Sequence, residues 1–122
     1  DENARWRSNA ISVDIRLVGD RPAGQQRPDS PVLQAAWLAN GVLGMTQNLT
    51  APGSTNSNIP ISLGIPAVTL GGGGIGGGAH STGEWYEPKD AWLGAQKILL
   101  TMLGLVGLDG VSQPILPRQP PR

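Results

Sequence analysis

A run of glycine restricts this chain more than any other feature. Seven of the eight residues from Gly71 to Gly78 are glycine, and the run leads through Ala79 to His80, the one histidine in the sequence. Glycine loses more conformational freedom on ordering than any other residue, which makes such a stretch poor material for a helix or strand interior. It is useful where the backbone takes positive φ or passes close to another group. Three kinds of segment fit that description: a phosphate cradle, a flexible linker, and a loop that carries a ligand into a metal site.

The flanking segments bear on the choice. Ala67–Leu70, "AVTL", is a short apolar run of the kind found in a buried parallel strand. After the glycines, Glu87-Pro88-Lys89-Asp90 puts acids and a proline where a helix start accepts them. Trp92, Ala95, Leu99, Met102, Leu103 and Val106 then keep helical spacing to about Leu108, with Gly110 as the stop. Near the N-terminus, Ile11, Val13, Ile15 and Leu17 alternate with Ser12, Asp14 and Arg16, which predicts a half-buried strand entered almost at once. "GDRPAGQQRPDS" (19–30) collects turn formers and reads as a linker or boundary. Asp29 or Ser30 caps a helix with Pro31 at its first position, an apolar face from Val32 to Ala39, and an end at Asn40-Gly41 or Gly44. "IPISLGIP" has room for one or two helical turns between its prolines. Asn48-Leu49-Thr50 matches a glycosylation acceptor, a tripeptide common by chance. Residues 111–122 are proline-rich and predict a disordered or extended tail.

Strand, helix, short strand and helix predict an α/β fold with a mostly parallel sheet. Ligands of such sheets bind outside the carboxyl ends of the strands, and the glycine run leaves one of those ends.

Composition narrows the function classes. Nine Lys+Arg balance nine Asp+Glu, so no electrostatic grip on nucleic acid is expected. Without cysteine there are neither disulfides nor thiolate metal sites. Nothing approaches the roughly 20 apolar residues of a membrane span. At 122 residues the chain fits one domain, yet its apolar fraction of 39% is low and it has no Phe. It begins without Met or a signal pattern, so a longer parent polypeptide is expected. The compartment stays open, with cytoplasm as the default.

Gly71, Gly73 and Gly76 satisfy G-x-G-x-x-G, but so dense a run does so trivially. A dinucleotide loop also needs a helix starting inside it, and a Walker loop needs Gly-Lys-Ser/Thr. A linker rarely runs from a buried-type strand into His-Ser-Thr-Gly-Glu-Trp-Tyr. In the third reading the glycines give clearance and His80 reaches a shared pocket, although a lone His is more often structural. Zinc needs three or four donors, so His80, with Glu84 nearby, must borrow the others. Trp85 and Tyr86 read as packing anchors ahead of substrate contacts. Asn56 and Asn58 serve as turn formers or as amide donors to a substrate carboxylate. Nothing resembles the G-x-S-x-G of a serine nucleophile.

"GSTNSNIPISLGIPAVTLGGGGIGGGAHSTGEWY" (53–86) closely resembles the C-terminal signature of the dinuclear zinc metallopeptidases. These include glutamate carboxypeptidase, peptidase T, aminoacylase and succinyl-diaminopimelate desuccinylase. Their pattern is Ser-Thr-Asp-Ala/Ser-Asn, a "GIPA" strand, a glycine-rich loop, then His followed by Glu-Trp/Tyr. "ISVDIRLVGDRPAGQQ" is similar to the last strand of the family's inserted dimerisation (lid) domain, and the likeness runs from about Trp6 to Leu108.

The resemblance implies three parts: residues 1–24 ending a ferredoxin-like lid domain, 25–110 closing a phosphorylase/hydrolase-like catalytic domain with a mostly parallel sheet, and 111–122 as tail. It implies His80 as the last ligand of one of two zinc ions. Asn56, Asn58, Gly73 and Gly74 then stand beside the substrate, with Asn56 where the family usually has Asp. The implied activity is hydrolysis of a peptide or N-acyl amino-acid amide by metal-activated water. The implied partners are the N-terminal part of the same protein and a second copy in a homodimer, with neither nucleic acid nor membrane. The segment alone is expected to be inactive. The alternative is a metal-free, degenerate relative acting as a binding or assembly module.

Overall fold

The computed structural model describes residues 1–46 and 53–116. The Asn48 acceptor motif and the end of the tail lie outside them. In chain order the elements are α1 (Glu2–Trp6), α2 (Pro31–Val42), α3 (Asn58–Ser62), β1 (Ile75–Gly77), β2 (Trp85–Glu87) and α4 (Trp92–Val106).

The N-terminal segment opens as helix before any extended stretch. Asp1 caps α1 by accepting from Asn3 N at 3.1 Å, and Glu2 Oε2 accepts from Trp6 Nε1 at 2.9 Å one turn on. An acid at the cap followed by Glu-Asn-Ala-Arg is an ordinary helix start, outweighed in the sequence by the alternation that follows. Residues 11–17 lie outside any sheet among the described residues, and Val13, Ile15 and Leu17 are 76%, 88% and 86% exposed. The expected AVTL strand is likewise unpaired: Ala67 N donates to Gln26 Oε1 at 3.0 Å instead of to a neighbouring strand.

Helix and sheet are both present, but the expected mostly parallel sheet is replaced among the described residues by one antiparallel pair. Its register is Ile75↔Glu87, Gly76↔Tyr86 and Gly77↔Trp85. Part of the glycine run is therefore a strand, which holds because Trp85 and Tyr86 lie across the space that side chains would have filled. Glu87, expected in the first turn of the last helix, belongs to β2. Asp90 follows at φ 54°, so the helix begins only at Trp92. It ends at Val106, where Gly107 turns away at φ 78°. Residues 111–116, expected to be loose, fold back on this end: Ile115 and Leu116 N both donate to Leu105 O at 3.1 Å.

The core is the contact between α2 and α4. Pro31 occupies the first turn of α2 as expected and Ser30 the cap position, but Ser30 Oγ makes no capping bond and is buried without a partner. Among the described residues, the buried apolar ones are Leu33, Ala35, Ala36 and Ala39, all on α2. They meet the face of α4 that carries Gly94, Lys97 and Thr101. The apolar face expected to drive packing points outward instead, with Trp92, Leu99, Met102 and Val106 each more than half exposed. Small residues let the two helices approach closely, and the large ones are left uncovered. The chain exposes 10125 Å², whereas a compact protein of this mass exposes about 6,200 Å².

Candidate functional site

His80 sits near the tip of the loop that joins β1 to β2. Ser81 closes a turn there: its N donates to Gly78 O at 3.2 Å and its Oγ to the same oxygen at 2.7 Å. Ser81 Oγ also accepts from Gly83 N at 3.2 Å, and Glu84 N donates to Ser81 O at 3.2 Å. These bonds hold His80 at φ 66°, a left-handed value that L-residues other than Asn, Asp and His seldom take. The imidazole is exposed, with no hydrogen bond or ion pair among the described residues. A backbone fixed on both sides with a free ring at its apex suits a side chain offered to something outside the loop.

Gly73 and Gly74 have reasons of their own. Gly73 is at φ 89° and a Cβ there would collide with the backbone of Ala91; Gly74 is at φ 76° and a Cβ would enter the Tyr86 ring. Tyr86 Oη donates to Gly73 O at 3.3 Å, which fastens the glycine run to β2. The side-chain-free space at both residues is thus taken up by the chain itself, and Tyr86, though largely exposed, lies against the glycine run.

Asn56 and Asn58 belong to a separate polar cluster. Asn58 Oδ1 accepts from Thr55 N at 3.1 Å, a turn-forming role. Thr69 Oγ1 lies 2.9 Å from Thr55 Oγ1 and 2.8 Å from Ser57 Oγ, so a knot of hydroxyls ties the 53–58 turn to the end of AVTL. Arg21 joins the cluster from far away in sequence, donating to Ser54 Oγ at 3.2 Å and to Asn56 Oδ1 at 3.3 Å. Asn56 therefore accepts from a guanidinium. The stretch around Arg21 read as linker, and no local signal in the sequence marked it.

No three His, Asp or Glu side chains among the described residues group as a metal site needs. His80 fits zinc as one donor, and this chain alone does not complete the set. The hydrogen bond from Arg27 holds the Asp29 carboxyl below the usual carboxylate range, but that pair lies on the surface before α2, apart from the site residues. No helix among the described residues is long and apolar enough to cross a membrane. The chain matches no protein-family model and no curated protein at a significant level of sequence similarity.

Proposed function

We propose that this chain is the C-terminal segment of a zinc-dependent exopeptidase or amidohydrolase, and that His80 is one ligand of its two-zinc centre. The observation that carries the reading is the imidazole itself: free, exposed, and held by a pinned turn in a left-handed conformation. The uncovered surface supports it too, because residues 11–17 and the outer face of α4 have the patterns of elements that pack on something further. In this reading residues 1–24 close a lid domain through which two copies pair, and 25–110 complete a catalytic domain whose parallel strands come mainly from the preceding part of the polypeptide.

Held by a full donor set, zinc would supply Lewis-acid chemistry, polarising an amide carbonyl and acidifying a bound water. This chain supplies an imidazole nitrogen from His80. Arg21, braced by Ser54 and Asn56, offers a planar cation suited to a free carboxylate on a peptide or N-acyl amino acid. The general base and the other metal ligands belong to the preceding part.

The test uses the complete polypeptide. His80→Ala should lower zinc content measured by atomic absorption and reduce amide hydrolysis at least a hundredfold, while unchanged occupancy and rate would remove His80 from the site. Zinc titrated calorimetrically into the 122 residues alone should show no tight stoichiometric binding, since one donor does not hold the ion.

A further inference from the structure

We propose that the cavity bounded by α2, α3, residues 67–71 and the middle of α4 binds a small monocarboxylate with an apolar body. The cavity has a volume of about 830 Å³, within the usual range for small-molecule sites. Leu33, Trp37 and Val68 contribute to a largely apolar wall.

One charged side chain on that wall lacks a partner among the described residues. Lys97 is only 7% exposed, lines the cavity beside Gly71, and has neither ion pair nor side-chain hydrogen bond among the described residues. No counter-charge stands beside Lys97 among the described residues, so an anion in the cavity would meet it without a competing carboxylate. Asn40 Oδ1 reaches no donor although it is sealed from solvent. A ligand carrying one negative charge satisfies Lys97, whereas the sealed Asn40 Oδ1 lies out of its reach. Among the described residues of the wall Lys97 is the one that is charged, so the match is to a monoanion and not to a phosphate dianion. His80 and Glu84 take no part in the cavity, so this inference stands apart from the zinc reading.

The experiment titrates octanoate into the full chain, in the presence of a chelator, and follows Trp37 by NMR. Saturable binding with a dissociation constant below about 1 mM is expected. Methyl octanoate, with the same apolar body and no charge, should bind at least tenfold more weakly, and so should octanoate to Lys97→Met. Lys89→Met, on the surface, should leave binding unchanged. Equal affinity for acid and ester, undiminished binding by Lys97→Met, or no saturation up to about 10 mM would each overturn the proposal. Should Lys97→Met lose helicity by circular dichroism, the comparison of acid and ester on the unaltered chain decides.

Discussion

At His80 the needs of the backbone and of the side chain oppose each other. Its φ of 66° suits glycine, yet an imidazole stands there. An L-residue in this region costs roughly 1 kcal/mol. His80→Gly should therefore raise the stability of the chain by about that amount in urea unfolding, while abolishing any role of the ring; a loss of stability would show that the imidazole supports the loop. Ser30 gives a second residue-scale prediction. An N-cap serine usually contributes about 1 kcal/mol, but Ser30 Oγ is buried and bonded to nothing. Ser30→Ala should leave the thermal midpoint unchanged or slightly raised. His80 was legible as a candidate because it is the one histidine and follows the glycine run. Arg21 was not, because its partners Ser54 and Asn56 lie more than thirty residues away and no local pattern couples them.

Among the elements, α2 was legible nearly to its ends, since proline at the start and a continuous apolar face are local signals. The hairpin was hidden because Ile75–Gly77 has almost no side chains with which to declare a strand. For α4 the period was legible and the buried face was not. Hydrophobic spacing shows which face seeks cover, while close helix contact selects small residues. The contact with α2 lies on the face of Gly94, Lys97 and Thr101. Two glycines of α4 separate these effects. A Cβ on Gly94 would run into the backbone of Gly72, so Gly94→Ala should destabilise by about 2 kcal/mol. A Cβ on Gly104 would meet only Ala35 Cβ at 3.9 Å, an ordinary contact. Gly104→Ala should stabilise by about 0.5–1 kcal/mol through helix propensity alone. Urea midpoints of the two variants measure the contrast.

Across the whole molecule the mixture of helix and sheet was legible, and the sheet topology was not. Alternation at 11–17 tells which side of a strand is apolar, and AVTL tells that a strand is buried, but neither names the strand it pairs with. With 10125 Å² exposed and the buried apolar residues among those described confined to one helix, the chain has little to make unfolding cooperative. It should bind the dye ANS in native buffer and unfold over a broad denaturant range, with fluorescence and circular dichroism failing to coincide. A sharp, coincident transition without dye binding would show a core larger than these residues provide. The bare stretch from Ile11 to Val18 has a practical consequence. Asn3 holds the backbone of Ile11, but among the described residues no strand pairs with the rest of the stretch, and Asp14 and Arg16 neutralise each other at 2.6 Å and so repel little. Concentrated alone, such molecules meet edge to edge, and this segment is where fibrils would nucleate.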